Sequence, residues 1–382
     1  MSNPISDATG MIPLPSDGQS KLSKVMETLV RTILPVVLAL LTSVVVLIVI
    51  GKDPWFFYSE VFRYGVMGNG WQQTIRLMAP LLLYSAGLIV VFRGKLWNLG
   101  YDAQYLLGSV VVAGFSPMLI EVMPLWAAFT VSLIMGTAAG AAWTLLPAAL
   151  KARYGTNEII TTLMMSFIGI GISNMLVRGP FQNPDIHVPQ TRVLPVADMF
   201  PQIPGTRIHI GIIISVVVVL IIHLLLTRTS FGLRLDVFGS SPKTALHVGI
   251  NSPQMILILF ILSGALIGLA ASVDMLGYQG NLRANINPGY GAAVLPFVFL
   301  GRLNILTTIP FVAFYCILDT GGRLASLDSG LDTHFLMIVI ALILVFMSVI
   351  EYFGVKKDLG QSYLPPGLRR AVTGLFDRGA RA

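Results

Sequence analysis

The sequence predicts an all-α integral membrane protein with about ten membrane-spanning helices. Of the 382 residues, 55% are hydrophobic and only 11% are charged, and the mean hydropathy is +0.79. A soluble domain carries about 25% charged residues. The apolar stretches are long and continuous, as in spanning helices, and lack the alternating pattern of a membrane β-barrel. The composition therefore excludes a water-soluble globular protein.

Apolar runs place ten predicted spans along the chain. These are residues 33–50, 75–92, 105–122, 125–146, 159–177, 208–226, 255–273, 292–300, 305–318 and 335–352. The segment 292–300 is too short to cross a bilayer alone. It follows two stretches rich in Gly and Asn, 277–281 and 287–291, that a straight helix would not tolerate. Irregular backbone at membrane depth occurs where it lines a cavity, so we predict a broken or half-crossing helix here.

Two similar tetrapeptides indicate an internal repeat. Asn98-Leu99-Gly100-Tyr101 precedes the third predicted span, and Asn287-Pro288-Gly289-Tyr290 precedes the eighth. In the predicted topology these tetrapeptides start from opposite sides of the membrane. That arrangement is typical of an inverted repeat, with a substrate site near the midplane between the halves.

Glycines at four-residue spacing predict close contact between two spans. The pairs are Gly136 with Gly140 and Gly264 with Gly268. Small residues spaced in this way allow the backbones of neighbouring helices to approach.

Basic residues predict the orientation of the chain. If both termini are cytoplasmic, 17 of the 25 Lys and Arg residues fall on the cytoplasmic side, as the positive-inside rule expects. Their scattered positions do not form a nucleic-acid-binding patch, despite the net charge of +7. We therefore predict a disordered cytoplasmic tail at 1–29, a membrane domain at 30–354 and a cytoplasmic tail at 355–382.

A long segment on the predicted outer side, residues 178–207, contains six prolines. This frequency of proline favours a stiff extended loop over a folded domain. The loop is either a docking surface for a partner outside the membrane or an inert cap on the helix ends.

A polar cassette at 239–250 interrupts the apolar sequence on the predicted cytoplasmic side. Ser240 or Ser241 can cap a helix, Pro242 suits the first helical position and Gly249 can end it. The cassette therefore predicts a short helix on the membrane surface. It is either an ordinary interfacial segment or an element that another protein binds.

Polar side chains near the predicted membrane interior mark a candidate path for a solute. Amides and carboxylates pair well with hydroxyls and base edges, and aromatic rings stack on sugars or bases. The candidates are Asn98, Asp102, Gln104, Asn281, Asn285, Asn287, Tyr290 and Phe297. Each has a structural alternative: Asp102 can cap the third predicted span, the asparagines can form turns, and the aromatic rings can serve packing alone.

Common catalytic patterns are absent from the sequence. It contains no phosphate-binding loop, no paired-histidine zinc motif and no serine nucleophile elbow, and its single cysteine, Cys316, lies in an apolar run. We therefore predict no catalytic site, no metal site and no cofactor. Any ATP hydrolysis would come from a separate subunit.

Four segments together resemble the permease subunits of bacterial ABC importers, in the nucleoside and simple-sugar branch of the branched-chain amino acid/ribose-type permease superfamily. They are residues 92–104, 150–160, 239–250, and 287–291 with 300–304. The similarity covers roughly residues 30–355. The chain departs from the family pattern at Asp102, where Glu is usual, and near Asp236, where the family carries a basic residue.

The resemblance implies a function and a set of partners. The chain would form the path for a nucleoside or simple sugar in a bacterial cell membrane, by alternating access. It would act with a second permease, ABC ATPase subunits and an extracytoplasmic solute-binding protein. The cassette would rest in a groove of the ATPase through Gly239, Ser241, Pro242, Lys243, Ala245, Leu246, Gly249 and Ile250.

Two other functions compete with the importer. An ion-coupled secondary transporter would need an intramembrane carboxylate relay, and the available residues are Asp102, Asp274 and Asp319, all near predicted helix ends. Asp319 lies one turn from Arg323 and could simply pair with it. A membrane scaffold without transport would gain nothing from a broken helix.

Overall fold

The computed structural model describes residues 21–358, which form thirteen α-helices. The helices are α1 Lys21–Val49, α2 Pro54–Val66, α3 Gly70–Arg93, α4 Tyr101–Val122, α5 Leu125–Tyr154, α6 Glu158–Arg178, α7 Gly211–Arg228, α8 Ser230–Ser240, α9 Pro242–His247, α10 Ser252–Asp274, α11 Tyr290–Leu300, α12 Ile305–Asp328 and α13 Phe335–Asp358.

Nine of the helices in residues 21–358 are long and apolar enough to cross a bilayer, namely α1, α3, α4, α5, α6, α7, α10, α12 and α13. The helix α11 has 11 residues and reaches only about 16 Å, roughly half the hydrocarbon thickness. These findings confirm the all-α membrane fold and the short, broken eighth segment.

Several predicted boundaries need correction. The helix α1 begins at Lys21, inside the tail predicted at 1–29. Residues 1–20 and 359–382, which hold the rest of both predicted tails, lie outside the described residues. The helix α2 was missed because its 13 residues are too short for a span. The start of α2 is nevertheless recognisable in the sequence, because Asp is a common helix-capping residue. In the structure the Asp53 side chain accepts a hydrogen bond from the Trp55 N–H at 2.9 Å.

The chain divides into two compact units. Of the described residues, one unit comprises 21–43 and 341–358, and within it the Arg31 guanidinium donates to the Gly354 carbonyl at 3.4 Å. The other comprises residues 44–340 and contains α2 to α12 with the adjoining parts of α1 and α13.

Backbone contact between α5 and α10 forms the centre of the larger unit. A Cβ atom added at Gly140 would lie 2.3 Å from the Gly264 carbonyl oxygen, and one at Gly268 would lie 2.2 Å from the Gly136 carbonyl oxygen. No side chain fits at these positions, so the predicted glycine pairs do bring the two helices together.

The packing of the spans has the exchange pattern of an inverted repeat. The helix α3 packs against the set α10, α11 and α12, in addition to α2 and α7, whereas α10 packs mainly against the set α3, α4 and α5. Exchanging α3 with α10, α4 with α11 and α5 with α12 converts one set of neighbours into the other. The pattern supports the relation that the two tetrapeptides predicted.

Residues 179–210, between α6 and α7, lie across the chain that leads into α11. The Thr191 N–H donates to the Leu282 carbonyl at 3.0 Å, and the Ala284 N–H donates to the Pro189 carbonyl at 2.9 Å. The loop contains one short 3₁₀ turn, Val196–Asp198, and isolated β-bridges rather than a folded domain. Since α7 connects this loop to α8, we call the two ends of the helices the loop face and the α9 face.

Candidate functional site

Two irregular segments interrupt the helices of the larger unit. Residues 94–100 join α3 to α4 without helical structure. In the second half, α10 continues into a π-turn, Met275–Gln279, and residues 280–289 then lead to α11 without helical structure. The two repeat tetrapeptides are the last residues of these segments and the first of the helices that follow.

The helices α3 and α11 end in the same capping motif on the α9 face. At the end of α3, the Lys95 N–H donates to the Phe92 carbonyl at 2.9 Å and the Leu96 N–H donates to the Val91 carbonyl at 3.3 Å. This pair of bonds forms a Schellman motif, in which Lys95 takes the left-handed position with φ 53°. The turn reverses the chain and directs residues 96–100 back toward the membrane interior.

The end of α11 repeats this motif. The Arg302 N–H donates to the Phe299 carbonyl at 2.9 Å and the Leu303 N–H donates to the Val298 carbonyl at 3.1 Å. The rings of Phe92 and Phe299 stack with centroids 5.3 Å apart. Sequence reasoning missed this relation, although Phe-x-Gly-Lys/Arg-Leu occurs at both 92–96 and 299–303.

Asn98 and Gln104 form a closed polar cluster deep in the unit. The Asn98 amide donates to Gln104 Oε1 at 3.0 Å and to Ser263 Oγ at 3.1 Å, and the Gln104 amide donates back to Asn98 Oδ1 at 2.8 Å. Both side chains are buried. Ser263 lies about 16 Å from the start of α10, near the middle of a bilayer about 30 Å thick. The cluster therefore fixes the irregular segment near the midplane.

The N-termini of α4 and α11 meet beside this cluster. The Tyr101 ring lies against Gly291, where any Cβ atom would overlap the ring at 2.1 Å from Cδ2. Tyr105 donates a hydrogen bond to Asp274, and its ring contacts Tyr290 with centroids 5.5 Å apart. Tyrosines and a buried carboxylate thus connect the two halves of the repeat.

Asp102 provides a carboxylate at this junction. It lies next to the side chains of Asn287 and Tyr84 and is partly exposed, and Asn287 is exposed. Carboxylate oxygens accept hydrogen bonds, whereas an amide both donates and accepts. The junction can therefore pair with the hydroxyls or heterocyclic edges of a polar solute.

The remaining polar path residues lie in the segment that leads into α11. Asn281 is half-buried. Asn285 is exposed with φ 61°, and its N–H donates to Asn174 Oδ1 at 2.8 Å. Asn287 Oδ1 accepts from the Gly289 N–H at 3.0 Å, as in the predicted turn.

Two further candidates have structural partners. Phe297 is fully buried and contacts the rings of Phe314 and Tyr315, so it does not reach the junction. Arg323 pairs with Asp319 at 3.1 Å, as its helical spacing suggested.

The polar cassette contains the predicted short helix, α9, which is shorter than the range 239–250 because the first two residues of that range belong to α8. Gly239 and Ser240 end α8, and α9 runs from Pro242 to His247. Ser241 caps α9 by accepting from the Thr244 N–H at 3.3 Å. The break arises because Ser241, in an extended conformation, closes one helix and opens the next.

The burial of α9 distinguishes an inner side from an outer side. Ala245 is 0% exposed, because it packs against the rest of the chain. Leu246 is 67% exposed and Val248 is 63% exposed. The apolar surface that α9 offers to a partner therefore consists of Leu246 and Val248, and Ala245 is not part of it.

A basic cavity of about 510 Å³ opens near the loop between α6 and α7. Arg63, Arg76 and Arg207 line it, and no Asp or Glu is among its lining residues. The neighbouring His209 precedes α7. Burial, together with the charge of Arg76, lowers the pKa of His209 to about 4, so the ring is neutral at physiological pH. Arg63 is paired with Glu60 at 2.9 Å, so Arg76 and Arg207 supply the net positive charge here.

Among residues 21–358, no group of three or more His, Cys, Asp or Glu side chains is arranged to hold a metal ion.

Comparison with known proteins identifies the family. Residues 71–348 match the family described as branched-chain amino acid transport system / permease component. A glucose ABC transporter permease of Haloferax volcanii is 27% identical over 84% of this chain and 87% of its own length. A nucleoside ABC transporter permease of Lactococcus lactis is 25% identical, over 86% and 92%. A guanosine ABC transporter permease of Bacillus subtilis is 24% identical, over 85% and 94%.

No solved structure shows a significant match to the chain. The family match covers well over half of the sequence, and the curated relatives align along most of their own lengths. This chain therefore belongs to the branched-chain amino acid transport system permease family, as a multi-pass ABC transporter permease of the cell membrane.

Proposed function

We propose that the chain forms half of the translocation path for a nucleoside or simple sugar in an ATP-driven importer. The observation that carries this proposal is the junction of α4 and α11, where Asp102 and Asn287 lie beside Tyr84 and Tyr101. Carboxylate and amide groups match the hydroxyls of a sugar, and the half-buried Tyr101 ring suits a sugar ring or a base, whereas Tyr84 is buried behind it. The relatives named for glucose, nucleosides and guanosine support the same classes.

Energy for transport comes from outside this chain. A permease of this family is not an enzyme, because ATP hydrolysis is carried by separate ATPase subunits. We place the ATPase contact at α9, where Leu246 and the following Val248 are exposed. Movement of the ATPases would open the junction alternately to the two sides of the membrane. Because the chain belongs to a family of transport permeases, the two competing functions, an ion-coupled secondary transporter and a scaffold without transport, are excluded.

A second permease would complete the path. Lactococcus lactis has two different nucleoside permeases that both match this chain, at 25% and 23% identity. Two distinct but related subunits in one organism support a heterodimer.

An extracytoplasmic solute-binding protein would dock on the loop face. The cavity lined by Arg63, Arg76 and Arg207 is positively charged, which favours a partner surface that presents carboxylates. Residues 179–210 cover the segment leading to α11, so a docked protein would act on the chain that enters the junction.

Uptake measurements test the substrate class. We expect cells that express the whole transporter to take up a labelled nucleoside or a labelled simple sugar, and an excess of the unlabelled compound to compete. Branched-chain amino acids should not compete, because the junction presents polar groups in place of an apolar side-chain pocket. Competition by leucine, with none by any nucleoside or sugar, would contradict the proposal.

Thiol labelling tests the orientation. We propose that the α9 face and both termini are cytoplasmic, because 17 of the 25 basic residues fall on that side. A cysteine in place of Val196, which is 75% exposed on the loop face, should react with an impermeant reagent in intact cells. One in place of Lys243 should react only after the membrane is opened. The native Cys316 is buried and contributes little background. The reverse pattern of labelling would overturn the orientation.

A further inference from the structure

Gly239, near the end of α8, touches the backbone at the end of α3. A Cβ atom at Gly239 would lie 2.1 Å from the Arg93 carbonyl oxygen and 3.5 Å from the Gly94 Cα atom. Since backbone atoms cannot rotate away as a side chain can, only glycine permits this approach. The two helices are therefore in direct contact at this point.

An ion pair joins the same two helices. Arg93 Nη2 lies 2.6 Å from Asp236 Oδ1, and the two side chains are 21% and 53% exposed. Asp236 lies one turn before Gly239 on α8, so the ion pair and the backbone contact fix α8 on α3 at two neighbouring positions. Such a partly exposed pair adds little stability, but it orients the helix.

The end of α3 that contacts α8 leads directly into the irregular residues 94–100. Gly94 packs against Leu259 of α10 and Leu235 of α8. The Schellman motif at Lys95 then reverses the chain, and Asn98 follows three residues later in its buried cluster with Gln104. The path from α8 to the polar interior is thus short and passes through the buried Gly94, Leu96 and Asn98.

We propose that Gly239 and the Arg93–Asp236 pair are positioning residues that transmit movement of α9 to residues 94–100. Because Ser241 both closes α8 and caps α9, the two helices move together. Displacement of α9 shifts α8, α8 shifts the capped end of α3, and residues 96–100 carry the shift to the junction. This inference rests on the proposed function of α9 as the ATPase contact.

The test measures solute transported per ATP hydrolysed by the reconstituted transporter with its ATPase. In Gly239→Ala the added methyl group must push α8 away from α3. We expect the ratio to fall by about tenfold or more, because overpacking against backbone is poorly relieved. The ATPase should still co-purify and hydrolyse ATP, since the partner-facing side of α9 is unchanged.

Milder variants test the ion pair. Asp236→Ala and Arg93→Ala should each lower the ratio by about two- to fivefold, as expected for a partly exposed pair. The exchanged double variant, Arg93→Asp with Asp236→Arg, should recover part of the loss. The control is Lys151→Ala, which breaks the pair between Lys151 and Glu158 on the same face, 2.8 Å apart. That pair does not touch α8, so its loss should leave the ratio unchanged.

A second readout follows the irregular segment itself. In the wild-type background, a cysteine in place of the partly exposed Trp97 should change its labelling rate when ATP binds. The Gly239→Ala variant should abolish this change without preventing ATP binding. An unchanged transport ratio and an unchanged labelling response in Gly239→Ala would overturn the proposal. Failure of the wild-type chain to bind an ATPase would instead overturn the proposed function.

Discussion

The Leu246→Glu substitution is expected to release the ATPase from the permease. Leu246 is 67% exposed on α9, where a side chain of this size would enter an apolar groove of the partner. Loss of a buried apolar anchor at an interface costs about 2 kcal/mol or more, which corresponds to roughly 30-fold weaker binding. A buried carboxylate adds a desolvation cost. Co-purification of the tagged complex and ATP-driven uptake should both be lost.

Two matched variants separate this effect from misfolding. Val196→Glu introduces the same charge at an equally apolar, exposed site on the loop face, and it should leave ATPase binding intact. Ala245→Asp places a charge at a position that is 0% exposed, so it should lower the yield and the Tm of the permease itself. If Leu246→Glu retained both the ATPase and uptake, α9 would not be the contact.

The Asp102→Asn substitution should lower solute uptake without unfolding the protein. Asp102 is partly exposed at the junction of α4 and α11, and the amide preserves its size while removing the charge. A hydrogen bond to a charged group contributes about 1.5–3 kcal/mol, so uptake at limiting solute should fall by roughly ten- to a hundredfold. The Tm of the purified complex should stay close to that of the wild type.

The Asn98→Ala variant provides the contrast. Asn98 is buried and bonds to Gln104 and Ser263, so its removal leaves buried polar groups without partners. This costs about 1–3 kcal/mol and should lower the Tm. Normal uptake in Asp102→Asn would show that the solute passes elsewhere. A Tm loss as large as that of Asn98→Ala would assign Asp102 a structural role.

The sequence predicted most spans because a bilayer imposes long apolar helices, and it predicted the broken helix because glycine and proline at 287–291 oppose regular structure. It also predicted the contact between α5 and α10, because glycines four residues apart in a membrane helix allow another helix to pack closely against it. The helix α2 was not predicted, because the length of an apolar run identifies spans and its 13 residues are too few to cross a bilayer.

Burial accounts for the site residues that the sequence misjudged. Nothing in one sequence distinguishes Phe297, which is packed against Phe314 and Tyr315, from an aromatic residue that faces a solute. Likewise, Ala245 and Leu246 are neighbours on α9, and only the packed chain reveals that one faces inward. The sequence did not predict the helix caps at Lys95 and Arg302, because the residue in the left-handed position of such a cap is usually glycine.

Reconstitution tests the central claim most directly. The permease pair, its ATPase and the solute-binding protein are placed together in liposomes, and movement of the labelled solute is followed with ATP on the side of α9. The account predicts solute movement that requires both ATP and the binding protein and is lost in Leu246→Glu. Movement at the full rate without ATP or ATPase, driven by an ion gradient, would contradict it.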